Sequence, residues 1–203
     1  RSSFVTHAGN AISEILGEDE VHEILLDDGR WLPCDILIIA VGVTPRVDLA
    51  RESGLKVNRG IVVNNRMETS IPNVYACGDC AELYDLASNS FHPIPIWPTA
   101  YVSGMVAGSN MVGMPREYDG GTGMNSMDLF GLSIISFGKV NPTKDDNCEV
   151  LFKIDEERKT YRKIVLSENR IVGAILAGEI DRAGIVLGLM TKKIDVSGFK
   201  KAL

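Results

Sequence analysis

The stretch Thr69-Ser70-Ile71-Pro72-Asn73-Val74-Tyr75-Ala76-Cys77-Gly78-Asp79 carries the sharpest chemical signal in the chain. An apolar strand over Val74–Cys77 is expected to run into Gly78 and Asp79 and to open a helix at Cys80–Leu83. Gly78 would let the backbone approach a ligand with no Cβ in the way. Asp79 could accept hydrogen bonds from sugar-like hydroxyls, and the free N–H groups of the helix start could receive a phosphate. A strand ending in an ordinary Asp N-cap fits the same residues, and Gly-Asp by itself does not separate the two. Cys77 and Cys80 form a C-x-x-C pair, which at a helix start can be a redox dithiol. They flank the residues assigned to ligand contact, so packed thiols are the alternative. A zinc site would need His7, His22 or His92 to converge on them.

A second candidate is the turn Trp97-Pro98-Thr99. It follows a stiff loop holding Pro93 and Pro95, and Pro98 suits the first turn of a helix that runs to about Met111, with Gly113 just past its end. The positive end of that helix could face negative charge on a ligand, or the helix could simply be a buried amphipathic one. Gly120-Gly121-Thr122-Gly123 could cradle a phosphate, but no strand–helix context or Lys accompanies it, which favours a hinge. The run Lys153–Lys159 mixes signs and reads as a solvated turn between strands.

Elements must hold these residues in place. Val21–Leu26 reads as a strand, Asp28-Gly29 as a hairpin turn and Arg30–Pro33 as the return. Ile36–Val41 is apolar at every position, which fits a strand buried on both faces, as in a helix-covered parallel sheet, with Gly42 and Pro45 ending it. A short helix over Leu49–Ser53 stops at Gly54. Leu55–Val57 and Ile61–Val63 are short strands around Asn58-Arg59-Gly60. Gly104 and Gly108 lower the propensity of the long helix, so a close backbone contact is expected there. Met114–Gly123 is linker-like. Beyond it, Leu132–Phe137, Val150–Ile154, Tyr161–Leu166 and Ile171–Leu176 read as strands, with a turn at Ser167-Glu168-Asn169 and a helix over Asp181–Met190, a small α+β domain.

The eleven-residue pattern resembles the second FAD-binding motif of the pyridine nucleotide-disulfide oxidoreductase family, whose Asp binds the ribityl–pyrophosphate part of FAD. The run DILIIAVGVTP, ending at Pro45, resembles that family's strand and Gly-x-x-Pro crossover from the NAD(P)H domain to the FAD domain. Trp97-Pro98-Thr99-Ala100 is similar to the start of the family helix that faces the flavin pyrimidine ring. Tyr161–Val165 and Ile171–Gly178 resemble the small domain of the NADH:rubredoxin reductase, NADH oxidase and nitrite reductase branch. The resemblance implies an α/β protein: residues 1–45 as the tail of an NAD(P)H-binding domain, 46–115 as the second segment of a doubly wound, Rossmann-like FAD domain, and 116–203 as a C-terminal α+β interface domain. It also implies Gly78, Asp79, Cys80, Trp97, Pro98, Thr99, Gly42 and Pro45 as cofactor-binding residues for FAD and NAD(P)H. The helix end at Pro98 would then stabilise negative charge at flavin N1 and C2=O.

A G-x-G-x-x-G opening a βαβ unit, which both nucleotide domains of the family require, is absent from these 203 residues. No catalytic residue can therefore be assigned, and the chain alone is expected to be inactive. Its expected partners are an N-terminal FAD/NAD(P)H half of the same protein, further copies of itself, and a small electron carrier of the rubredoxin kind. A net charge of −6 argues against nucleic acid, and the longest apolar run, Ile36–Val43, falls far short of the ~20 residues of a membrane span. Four sparse cysteines suggest a reducing cytoplasm. An autonomous interaction or dimerisation module and a ferredoxin or thioredoxin reductase relative are the competing readings. The crossover and the C-terminal domain disfavour thioredoxin reductase.

Overall fold

Asp28-Gly29 turns the chain between β2 (Glu23–Leu26) and β3 (Trp31–Pro33) in the computed structural model, which describes residues 5–203. A preceding strand, β1 (Ile12–Leu16), pairs with β2, giving an antiparallel sheet ordered β1-β2-β3. No alternation announced β1, and all five of its residues are exposed. The chain divides into two units, one ending at Gly42 and the other comprising Val43–Leu203.

The all-apolar run Ile36–Val41 is not a strand. Ile36, Ile38 and Val41 are 81%, 83% and 90% exposed, and no described strand pairs with them. A strand buried on both faces draws its stability from a neighbour on each edge and a layer on each side. The described residues offer it neither.

In the second unit, α1 (Asp48–Glu52) leads into β4 (Ile61–Val62), which runs parallel to β5 (Ala81–Asp85); β6 (Ser90–His92) returns antiparallel to β5. The strands expected at Leu55–Val57 and Val74–Cys77 shrink to single bridges, Val57 with Ile61 and Glu68 with Tyr75. The helix expected at Cys80–Leu83 is absent. One 3-10 turn over Gly78–Cys80 gives way at once to β5. Pairing with β4 decides this, together with Glu82, whose buried carboxylate accepts the Arg59 and Gly60 N–H groups at 3.0 and 3.1 Å and the Asn58 amide at 3.1 Å. A helix over these residues would orphan those donors.

Pro98 begins α2 (Trp97–Met111), whose inner face buries Thr99, Ser103, Val106, Ala107 and Asn110 against Met67 and Leu83. The backbone contact expected at Gly104 and Gly108 does not occur, since both glycines border open space. The expected hinge at Gly120–Gly123 is instead docked. Gly121 exchanges hydrogen bonds with Leu86 N–H (2.8 Å) and Tyr84 C=O (3.0 Å). Gly120, at φ +102°, leaves 2.8 Å between an added Cβ and Leu86, and a side chain at Gly121 would collide with the Tyr118 hydroxyl. The glycines serve close packing here, not freedom.

The C-terminal strands form one antiparallel sheet ordered β7-β8-β11-β10-β9, from β7 (Met124–Leu129), β8 (Leu132–Gly138), β9 (Glu149–Asp155), β10 (Thr160–Ser167) and β11 (Arg170–Ala177). Glu168 and Asn169 both take positive φ, 48° and 59°, as the two central residues of a primed hairpin turn must. Helix α3 (Ala183–Thr191) covers one face through Val186 and Met190, over Phe137, Ile164, Leu166 and Leu176.

Candidate functional site

The site is built from one tight turn and one helix start. Cys77 is extended, Gly78 turns to φ +72°, and Asp79 is left exposed on the 3-10 turn. No hydrogen bond among the described residues reaches the Asp79 carboxylate, and no helix follows it, so Asp79 is not an N-cap. Its neighbours come from α2: Asp79, Trp97, Ala100 and Tyr101 line an open cleft of about 520 Å³. The turn is tied to the helix from below. Gly78 donates its N–H to Ser103 Oγ at 3.0 Å, and Ser103 Oγ donates to the Thr99 carbonyl at 2.7 Å.

Trp97 is 82% exposed and Pro98 is exposed beside it. Thr99 is buried, and its hydroxyl sits 2.6 Å from the Ile94 carbonyl and 2.9 Å from that of Ile96. Thr99 therefore locks the loop before α2 with its side chain and has only its backbone N–H to offer a ligand. Pro98 has no N–H at all, so the first turn presents the N–H groups of Trp97 and Thr99. Pro98 and Thr99 also border a second hollow of about 180 Å³, closed by Ile96, Tyr118 and Leu187. Gly42 ends the first unit at φ +100° in open space, and Pro45 lies half-buried in the second unit.

Cys80 is half-buried and its thiol donates to the Cys77 carbonyl at 3.4 Å. Burial, with Cys80 alongside, pushes the Cys77 thiol above its ordinary value. A reactive dithiol needs the opposite shift, so the geometry favours packed thiols. No metal-binding group of His, Cys, Asp and Glu occurs among the described residues.

Sequence reasoning missed three polar groups. Ser103 and Glu82 are described above; the third is Asp85 with His92. Burial would raise the Asp85 carboxyl, but the Ala87 N–H, Ser88, Thr122 and His92 outweigh it and hold the group below its ordinary value. His92 Nε2 lies 3.2 Å from both Asp85 Oδ2 and Ser88 Oγ. One ring nitrogen facing both partners cannot relay a proton between them, which excludes a nucleophilic triad. The available signal was a polar residue at an inward position: Ser103 one turn after Thr99, and Glu82 inside an apolar strand.

Residues 5–97 match the family described as pyridine nucleotide-disulphide oxidoreductase, and residues 124–194 match the rubredoxin NAD+ reductase C-terminal domain. The chain is 34% identical over 189 residues to Nitrite reductase (NAD(P)H) of Bacillus subtilis (strain 168), a match spanning 93% of this chain and 22% of that protein. It is 32% identical over 190 residues to the assimilatory nitrate reductase electron transfer subunit of the same organism, spanning 93% of this chain and 24% of that one. A crystal structure of an FAD-dependent pyridine nucleotide-disulphide oxidoreductase from Desulfovibrio vulgaris matches at a TM-score of 0.81 and 26% identity, over 96% of this chain and 51% of that chain. The chain thus spans less than a quarter of these two curated relatives and about half of the solved one. Its mixed α/β architecture is that of the C-terminal half of the solved structure: the second part of a Rossmann-like domain followed by a sheet domain. Over residues 5–97 the chain is thus similar to the pyridine nucleotide-disulphide oxidoreductase family, and over residues 124–194 to the rubredoxin NAD+ reductase C-terminal domain, in the order their motifs imply.

Proposed function

We propose that this chain is the C-terminal part of an FAD- and NAD(P)H-dependent oxidoreductase. One observation carries the reading: an unpaired Asp79 carboxylate opens into a cleft beside the start of α2. Bound there, FAD would supply the ring that takes hydride from NAD(P)H and passes electrons to an acceptor such as oxygen, a nitrite-reducing partner, a disulfide or a rubredoxin-like carrier. Asp79 accepts hydrogen bonds from the sugar-alcohol hydroxyls, and Gly78 keeps the adjoining backbone free of a Cβ. The Trp97 and Thr99 N–H groups at the positive end of α2 would face negative charge on the bound ring. Trp97 and Tyr101 wall one side of the cleft against water. Cys80 packs beneath the turn, while Gly42 and Pro45 lie on the crossover between nucleotide domains.

The surface of α2 supports a partner from the rest of the protein. Trp97, Tyr101, Gly104, Gly108 and Met111 recur at helical spacing along its outer side, and open space surrounds both glycines. Ile36–Val43 is a second uncovered apolar surface. We read both as seats for an N-terminal nucleotide-binding half. The similarity of residues 124–194 to a rubredoxin reductase domain supports a small electron carrier as a partner. The edge strand β9, with Val150, Phe152 and Ile154 exposed, supports assembly with further copies of the chain. No helix among the described residues is long and apolar enough to cross a membrane, and all four cysteines are unpaired, in keeping with a reducing cytoplasm.

The test compares two proteins. The intact protein should purify yellow and oxidise NADH or NADPH, while the 203-residue chain should be colourless and inactive toward both. A stoichiometric flavin spectrum on the 203 residues would overturn the reading of a half-built site.

A further inference from the structure

We propose that Ser103 is a positioning residue: its buried hydroxyl pins the Gly78–Asp79 turn to the first turn of α2, and so sets where the carboxylate and the helix end meet the dinucleotide. This rests on the FAD reading of the cleft.

Ser103 is 0% exposed and sits one helical turn past Thr99. Serine inside a helix commonly bonds back to the carbonyl four residues earlier. Here it does so at 2.7 Å, with the Ala100 carbonyl at 3.2 Å. Its single proton is thereby committed, and its lone pairs remain for a donor. That donor is the Gly78 N–H at 3.0 Å, contributed from twenty-five positions earlier in the chain. The bond turns the Gly78 N–H inward, while φ +72° carries Asp79 outward to the cleft. Ala100 lies beneath the same glycine, its Cβ 3.7 Å from an ideal Cβ at position 78, so the turn rests on the helix whose Ser103 side chain holds it. Thr99 extends the stitch by fastening the helix start to Ile94 and Ile96. Alanine at 103 would fill nearly the same space but leave the Gly78 N–H without a partner. The turn would then have to rotate that N–H toward water, and Asp79 would move with it.

The experiment uses the intact flavoprotein and compares Ser103→Ala, Ser103→Thr and Asp79→Asn by FAD titration, flavin midpoint potential and melting of the apoprotein. Ser103→Ala should raise the FAD dissociation constant about tenfold, as loss of one well-placed hydrogen bond does. It should also lower the potential, because the positive helix end no longer sits at its set distance from the reduced ring. Ser103→Thr keeps the hydroxyl and should restore both. If the alanine protein does not fold, Ser103→Cys, a near-isostere with a poorer acceptor, should give the same shifts in smaller measure. Unchanged affinity and potential in Ser103→Ala, with FAD lost from Asp79→Asn, would overturn the role of Ser103 alone. An affinity loss that merely tracks apoprotein melting, with the potential unmoved, would reduce Ser103 to a stability residue and overturn the proposal as well. Failure of the wild type to bind FAD, or full retention of FAD by Asp79→Asn, would instead overturn the reading of the cleft.

Discussion

Asp79 and Glu82 stand three residues apart and carry the same charge, yet their surroundings give them opposite tasks. Glu82 is consumed by the fold: two backbone N–H groups and one amide close on its buried carboxylate. Glu82→Ala should therefore destabilise the chain by about 2–4 kcal/mol, read by denaturant unfolding, because three donors lose a charged acceptor. Asp79 has no such partner, so Asp79→Asn should leave stability within about 0.5 kcal/mol of wild type. On the proposed reading, its effect falls instead on cofactor retention in the intact protein. Tyr118 offers a pH test. Its hydroxyl is buried without a hydrogen bond among the described residues, and burial, with Asp85 nearby, pushes its pKa up to about 12 from 10.0. The folded chain holds this proton more tightly than the unfolded one, so the contribution is complete below pH 10 and disappears as pH rises toward 12. Tyr118→Phe should remove that alkaline loss and cost little at neutral pH; an unaltered alkaline unfolding profile in the variant would contradict it. Asp85 has the opposite sign. Its folded value lies below 3.8, so its contribution is present above that value and lost as acid protonates the folded state.

Helix α2 was the element most legible in the residues. Two prolines ahead of it, Pro93 and Pro95, Pro98 in its first turn and Gly113 beyond its end bracket Trp97–Met111 by local rules alone. What those rules could not supply was the neighbour of Gly104 and Gly108, because a glycine signals closeness without saying to what. Both border open space. Gly108→Ala should accordingly stabilise the 203-residue chain by about 0.5–1 kcal/mol through helix propensity. A larger Gly108→Leu change in the intact protein should impair flavin binding, if the outer side of α2 seats the rest of the nucleotide fold. Thermal melting of the first and flavin content of the second check the two signs. The β5 segment shows the converse case. Gly-Asp before Cys80–Leu83 looks like a helix start, but an adjacent parallel strand and the donors gathered on Glu82 override it.

At the scale of the whole molecule, exposed apolar surface is concentrated at β9, along α2 and over Ile36–Val43. An edge strand carrying Val150, Phe152 and Ile154 is a template for pairing. The 203-residue chain should self-associate at high concentration, and Phe152→Lys should shift it toward monomer in light scattering. A clean monomer before the substitution would remove that surface from consideration. The residues alone determined whatever depends on near neighbours: the Gly78-Asp79 signature, the extent of α2, and four of the five C-terminal strands with the turn at Glu168-Asn169, though not β7. Tertiary structure decided what depends on distant ones. It turned Ala81–Asp85 into a strand, left Ile36–Val41 unpaired, docked the glycines at 120–121, and brought Ser103 under Gly78. The physical reason is common to all four. Local geometry is encoded in dihedral preference and spacing, whereas a buried polar group or an all-apolar run takes its meaning only from the partner that the fold delivers to it or withholds.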